Sequence, residues 1–385
     1  MDRRELGIYI HIPFCVRKCA YCDFLSFPAG SETWRAYFRI LREEIVSCPL
    51  AGDYETVSVY FGGGTPSFPP PEEIVRTLEA VFHTFEVRKD AEITIECNPG
   101  TMDSARLRDY QMAGFNRLSI GLQSADDNLL RTLGRIHVWE DFRREYADAR
   151  DAGFDNLSVD LMYGLPGQTL SSWEDTLKRI QALSPEHVSA YSLIIEEGTP
   201  FWDRYHEDDQ TKRRGEKPFF LPDEDTEDRM LRMLKDSLRG IGIDRYEISN
   251  YARPGRESRH NTGYWKRREY VGFGLGASSQ TGRMRYRNCT DLKRYLEGGN
   301  HREEESVLTR EDEMSETMIL GLRMTEGVDL AHFERCFHEN ALERYAGMIR
   351  KFRQAGLLER SGRFLRLTEQ GFDVSNLVMC EFLPD

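Results

Sequence analysis

Three cysteines, Cys15, Cys19 and Cys22, follow one another in the spacing C-x3-C-x2-C. Three thiolates on one tight loop can hold three corners of a cubane [4Fe-4S] cluster and leave the fourth iron open to a ligand. Structural zinc is the competing use of such a loop, and it asks for four closed ligands. His11 is the one conceivable fourth, but it falls inside an apolar run and no second cysteine pair lies nearby. Arg17 and Lys18 between the cysteines are not core-like either. The spacing favours the cluster. Cys48, Cys97, Cys289, Cys336 and Cys380 are scattered, as expected of small reduced core residues, and eight cysteines in 385 residues make no disulfide scaffold. A second set of reactive groups closes short apolar runs: Gly62-Gly63-Gly64-Thr65-Pro66, Glu96, Gln123, Asp160 and the stretch 194–197.

A scaffold that brings these groups together must end several strands on one face. Runs of β-branched character occur at 7–13, 56–62, 92–97, 117–122, 156–162 and 187–193. Amphipathic helical patterns at 33–47, 71–84, 104–113, 139–152 and 171–183 separate them. Such alternation means βα units around a parallel sheet, and right-handed crossovers curl the series into a barrel or an open doubly wound sheet. In a βα barrel the loops after the strands carry the reacting groups. The cysteine loop, the glycines, Glu96, Gln123 and Asp160 all fall there.

Residues 203–217 mix charges of both signs and read as a solvated loop. A helix follows, capped by Asp223 or Asp225, with Met230, Leu231, Leu234 and Leu238 on its apolar face and Gly240 at its end. Stretches 245–251 and 270–279 read as edge strands or loops around a polar-aromatic segment at 259–265. Beyond residue 308, helices give way to a hairpin over 356–367 and a last helix, a winged-helix-like pattern. Residues 301–385 carry 17 acidic and 11 basic residues, and the whole chain has a net charge of -13. Binding to nucleic acid needs a basic face, so it is disfavoured. No window approaches the roughly 18 apolar residues of a transmembrane segment. No apolar signal region precedes the first strand, and a cytoplasmic protein is expected.

The cysteine spacing, with Tyr21 just before the last cysteine and the loop at the end of the first strand, resembles the radical S-adenosylmethionine (SAM) superfamily. The resemblance implies an α/β fold, a partial parallel (β/α)6 barrel, in which the open iron takes the amino and carboxylate groups of SAM. One-electron reduction then releases a 5′-deoxyadenosyl radical. Further motifs resemble the oxygen-independent coproporphyrinogen III oxidase (HemN) group over roughly residues 5–380. They are Tyr9-x-His11-Ile12-Pro13-Phe14-Cys15, residues 62–66, Gly121-Leu122-Gln123-Ser124, Arg135 and the run 160–169 (DLMYGLPGQT). By position in that group, Tyr9, Tyr21, Gly63, Gly64, Thr65, Glu96, Gln123, Arg135 and Asp160 are implied SAM contacts. Glu96 and Asp160 can accept hydrogen bonds from ribose or ammonium groups, and Arg135 can neutralise a carboxylate.

Two departures separate the chain from the oxidase. Phe24 stands where the oxidase has a fourth cysteine, and only eight residues precede Tyr9 where the oxidase carries an extension. The segment His260-Asn261-Thr262-Gly263-Tyr264-Trp265 is similar to the H-N-x-x-Y-W motif of the HemW branch, whose members are regarded as haem chaperones. That implies haem at His260, Tyr264 and Trp265, the imidazole on iron and the rings on the porphyrin face. The expectation is a haem chaperone with a cluster, SAM and haem, an acceptor protein, and an electron donor such as flavodoxin or ferredoxin. The alternative is an oxidase that decarboxylates coproporphyrinogen III. The expected organisation is a core barrel over 1–240, a barrel-edge extension over 241–300, and a HemN-type winged-helix-like domain over 301–385.

Overall fold

Six parallel strands form the centre of the molecule: β1 (Arg4–Ile12), β2 (Tyr54–Gly63), β3 (Glu86–Cys97), β4 (Arg117–Gln123), β5 (Leu157–Tyr163) and β6 (His187–Ser192). Each pairs with the next in register, as in Ile10 opposite Phe61 and Ile95 opposite Leu118. The computed structural model describes residues 3–299 and 301–384. Six further strands extend the sheet: β7 (Asp244–Arg245), β8 (Asn250–Ala252), β9 (Glu269–Phe273), β10 (Ser278–Thr281), β11 (Met284–Asn288) and β12 (Arg302–Val307). The order is β12-β11-β10-β9-β1-β2-β3-β4-β5-β6-β8-β7. β9 runs parallel to β1, whereas β10 to β12 form an antiparallel meander and β8 lies antiparallel to β6. Among the described residues no pairing joins β12 to β7, so the sheet is an open, partial barrel. β12 belongs to this sheet although residue 301 was expected to open the C-terminal module.

Side chains alternate across a strand, and here the alternation separates two environments. Ile8, Ile10, Val59, Phe61, Ile95, Leu118 and Ile120 point outward into a core shared with the covering helices. The helices Ser31–Val46, Pro71–Thr84, Ser104–Ala113, Trp139–Asp151 and Leu170–Leu183 supply its other side. Asp103 caps one of them through the N–H groups of Ala105 and Arg106, and Trp173 ties another to the helix Glu224–Arg239 through Nε1 and the Met230 carbonyl, 2.9 Å. The residues between, among them Tyr60, Glu96, Arg117, Ser119 and Asp160, face inward. The interior of this barrel is polar.

The stretch expected as a solvated loop is instead the helix Pro200–Arg213. Thr199 accepts a hydrogen bond from the Trp202 N–H, Pro200 opens the first turn, and the buried Phe201 anchors it. Its mixed charges pair along the helix, as in Arg213 with Asp209 at 2.7 Å. The C-terminal module has its own core around Met318, Leu322, Phe333, Phe352 and Leu365. Its strands β13 (Val328–Asp329), β14 (Leu358–Ser361) and β15 (Phe364–Leu367) form a sheet in the order β13-β15-β14, with Gly362 at φ +59° in the hairpin turn. The fully buried Glu247 binds Arg323 at 3.3 Å and fastens this module to the barrel. Among the described residues no helix is long and apolar enough to cross a membrane.

Candidate cluster and cofactor site

The loop after β1 is held by backbone bonds on both sides, so the cysteines have a fixed seat. The Cys15 N–H donates to the Phe27 carbonyl at 3.2 Å, and the Ala20 N–H to that of Leu133 at 3.0 Å. Across from it, the end of β2 closes on the loop: the N–H of Gly64 donates to Ile12 at 2.9 Å and that of Thr65 to Phe14 at 2.8 Å. Cys15, Cys19 and Cys22 are all free thiols at the mouth of a cavity of about 470 Å³. Thr65 Oγ1 lies 3.6 Å from the Cys15 sulfur, and Arg135 Nη1 lies 3.7 Å from that of Cys19. Burial pushes the Cys22 thiol up to about 11, with the neighbouring Cys19 and Cys15 adding to it against the Phe24 N–H and Lys18. A bound cation would reverse that shift by deprotonating the sulfur. Among the described residues no three His, Cys, Asp or Glu converge closely enough to share one ion. A cubane asks for something different, one thiolate at each of three separate irons.

Below the cysteines the cavity is lined by Tyr21, Gly63, Gly64, Thr65, Glu96, Gln123, Arg135 and Asp160. Eight of the nine expected SAM contacts therefore border one space. The ninth, Tyr9, does not: its hydroxyl bonds His11 Nδ1 at 3.1 Å, and its ring stacks 6.2 Å from that of Tyr60. Glu96 accepts from the Tyr60 hydroxyl at 2.8 Å and from the Gly63 N–H at 3.1 Å. Burial lifts its carboxyl to about 7, and the nearby Asp160 adds to the shift while Tyr60 and Gly63 oppose it. Burial raises Asp160 as well, against the hydroxyls of Ser189 and Ser119 and the charge of Arg117. Gln123 leaves β4 at φ 70°, a left-handed backbone that costs a non-glycine residue about 1–3 kcal/mol and tends to persist at functional sites. Arg135 donates to the Gly121 carbonyl and to Asn98 at 2.6 Å, while its Nε finds no partner among the described residues.

These features fit SAM. Bare glycine backbone, two carboxylates and a buried guanidinium match an amino acid carboxylate, an ammonium and a ribose. A cluster seated there would supply the electron for cleaving the sulfonium. Asn98, Arg117 and Asn261 are among the cavity residues that a reading of strand ends misses. Asn98 follows β3 directly and bridges Thr65 and Arg135, so the rule applied one residue further would have found it. Arg117, only 2% exposed, starts β4 rather than ending it. Asn261 arrives from a distant helix.

That helix, Arg259–Trp265, closes the base of the barrel. Glu92 on β3 accepts the N–H groups of Arg259 and His260, both at 3.0 Å, and Ser258 caps the first turn. His260 is 3% exposed and stacks 5.0 Å from Tyr60. Its Nδ1 bonds Ser58 at 3.0 Å and its Nε2 bonds the Tyr264 hydroxyl at 2.9 Å. Burial, with Arg268 and Arg117 adding, lowers its pKa to about 3. Neither ring nitrogen is left for haem iron in this arrangement. Tyr264 packs edge-on between His260 and Tyr270, and Trp265 lies under Arg323 beside a different cavity. His260 and Tyr264 meet each other, and Trp265 stands apart from them beside the other cavity.

An open parallel (β/α) sheet with a three-cysteine loop after its first strand, above a polar cavity, defines a radical SAM protein. Residues 9–180 match the family model of the radical SAM superfamily, and residues 308–374 that of the HemN C-terminal domain. The heme chaperone HemW of Bacillus subtilis is 34% identical over 98% of this chain and 99% of its own length. HemW of Escherichia coli is 34% identical over 85% of both chains. The mouse radical S-adenosyl methionine domain-containing protein 1 (mitochondrial) is 33% identical over 98% of this chain and 87% of its own. Among solved structures, coproporphyrinogen III oxidase (HemN) from Escherichia coli superposes with a TM-score of 0.84 at 25% identity, covering 99% of this chain and 90% of that one. The chain belongs to the HemW family.

The Glu96 pKa sets a pH dependence. Only the ionised carboxylate attracts a cation and accepts hydrogen bonds at both oxygens, and it predominates above about pH 7. SAM affinity should therefore climb as pH rises through that value, by at most about tenfold per pH unit below it. Calorimetric titration of the wild type and of Glu96→Gln checks this. The slope should flatten in the variant, the buried Asp160 supplying what remains, and identical slopes would contradict the role given to Glu96.

Proposed function

We propose that this chain is a haem chaperone, which binds haem and hands it to an acceptor protein in the cytoplasm. A [4Fe-4S] cluster is assigned to Cys15, Cys19 and Cys22. SAM is assigned to Tyr21, Gly63, Gly64, Thr65, Glu96, Gln123, Arg135 and Asp160, with Tyr9 as a positioning residue behind them. The observation that carries the reading is the full-length likeness to HemW of Bacillus subtilis, 34% identity over 98% of this chain. Phe24 supports it further: it is 63% exposed at the cavity mouth, at the position where a decarboxylating oxidase has its fourth cysteine. Reduced flavodoxin or ferredoxin is the class of electron donor such a cluster needs. Of the three residues expected at haem, Trp265 keeps that assignment, and His260 and Tyr264 are assigned to the barrel base.

The likeness to the HemN structure favours a second reading, decarboxylation of coproporphyrinogen III propionates. One anaerobic experiment separates the two. Reconstituted protein is incubated with SAM, a reductant and coproporphyrinogen III, and in parallel haem-loaded protein is mixed with an apo-haemoprotein. The chaperone reading expects haem in the acceptor and no protoporphyrinogen above background. Protoporphyrinogen over many turnovers overturns it.

A further inference from the structure

Arg117 is the least exposed arginine or lysine among the described residues, and it borders the SAM cavity. Its Nε finds no hydrogen-bond partner among them. A buried charge is costly unless another charge compensates it. The compensation for Arg117 follows from its place in the sheet.

β4 lies between β3 and β5. Thr94 stands opposite Arg117, Glu96 opposite Ser119, and Asp160 opposite Gly121. Side chains alternate along a strand, so Arg117, Ser119 and Gly121 share the inward face, with Arg117 about 7 Å below Ser119. Glu96 on β3 and Asp160 on β5 therefore flank the strand that carries it. Both carboxylates are held by neutral donors, Glu96 by Tyr60 and the Gly63 N–H, Asp160 by Ser119 at 3.2 Å. Neither has a cation in hydrogen-bond contact among the described residues.

The other ionisable groups around the pair supply no positive charge. Tyr9, Tyr60 and Tyr191 face it, and burial holds all three phenols above their ordinary range. Burial raises the Cys97 thiol in the same way. His187 and His260 are lowered by burial, with Arg117 adding to the shift, and so stay neutral. Glu92 is turned to the base of the barrel, where it accepts the N–H groups of Arg259 and His260. Two cations remain. Arg135 bonds Asn98 and the Gly121 carbonyl beside Cys19, where a SAM carboxylate would occupy it. Arg117 is claimed by no ligand group.

We propose that Arg117 is a positioning residue of the SAM site, the buried counter-cation that keeps Glu96 and Asp160 ionised to receive an ammonium and a ribose. The proposal rests on the assignment of SAM to this cavity. A cation beneath two carboxylates favours the anion over the acid. It also opposes a bound sulfonium, so its benefit is confined to the pH range in which the carboxylates would otherwise take up protons.

The test is a calorimetric titration of the cluster-loaded chain with SAM at several pH values, comparing wild type with Arg117→Met, Arg117→Gln and Arg117→Lys. Circular dichroism and iron content are the controls. The two neutral variants should move the rise in affinity upward by about one pH unit, which is about tenfold weaker binding at about pH 6 and little difference at about pH 9. Arg117→Lys should restore the wild-type profile. An unmoved profile overturns the proposal, and so does an equal loss at every pH, the mark of a merely structural role. Infrared difference spectra without SAM read the same carboxyls directly, with Glu96→Gln identifying the Glu96 band. More protonated carboxyl in the neutral variants at about pH 7 supports the proposal, and equal amounts overturn it. Failure of the unaltered chain to bind SAM overturns the cavity assignment, and the infrared comparison then still decides the role of Arg117.

Discussion

Replacing Cys15, Cys19 and Cys22 together by alanine removes the cluster and, with it, SAM binding. In the proposed assignment each of the three thiolates carries one iron. The expected measurement is iron and sulfide at background after anaerobic reconstitution, with the sulfide-to-iron absorbance gone. The far-ultraviolet circular dichroism should be retained, because the loop is fastened through backbone bonds rather than through sulfur. Cys97 makes the informative control. It is the one other cysteine bordering the cavity, and burial drives its thiol strongly upward, with Glu145, Glu96 and Asp160 adding to the shift. Its sulfur sits at the end of β3, 3.8 Å from the Ile95 carbonyl, and not on the loop that carries the other three. Cys97→Ala should therefore keep full iron content. Cluster-level iron in the triple variant would sink the ligand assignment, and loss of iron in Cys97→Ala would add a fourth ligand to it.

The parts of this molecule that could be read from sequence are those whose physics is local. β1 to β6 are legible because one face of each strand is packed under helices, which forces β-branched and apolar residues into short runs. The cysteine loop is legible because its three ligands lie within one turn of chain. The helix Pro200–Arg213 escaped because only Phe201 among its residues is buried, so its hydrophobic period is too weak to see among the charges. Arg117 escaped for a different reason. It enters the cavity from the start of β4, and strand-end reasoning looks at the other end. The bonds of His260 were not legible because its partners are remote: Ser58 lies on β2 and Glu92 on β3, and nothing within the motif announces either bond. A histidine flanked by aromatic residues has the same local sequence whether it awaits a metal or fills a base. Tertiary neighbours alone distinguish the two, and here both nitrogens are taken.

Substitution at Gly64 should do nearly as much damage as loss of a cysteine, although glycine has no chemistry of its own. A Cβ there would sit 2.8 Å from the Phe14 carbonyl oxygen, 3.0 Å from the Phe14 nitrogen and 3.0 Å from the Cys15 sulfur. Two of these are backbone atoms, already fixed by the bonds from Gly64 to Ile12 and from Thr65 to Phe14. They cannot swing aside, so the loop itself must move. Gly64→Val should displace Cys15 from its corner. Overpacking of this sort costs about 1–3 kcal/mol, enough to lower the melting temperature but not to unfold a chain whose core lies elsewhere. The expected result is a folded protein with substoichiometric iron and SAM affinity weakened at least tenfold. Gly167→Ala separates space from backbone strain. Gly64 does not lie at positive φ, whereas Gly167 does, at +76°, and nothing stands within 4 Å of its Cβ position. That variant should lose about 1 kcal/mol from the left-handed backbone alone and keep its cluster. Full iron and unaltered SAM binding in Gly64→Val would mean that the loop yields without cost, and that the close approach of β2 to the cysteines is not what seats them.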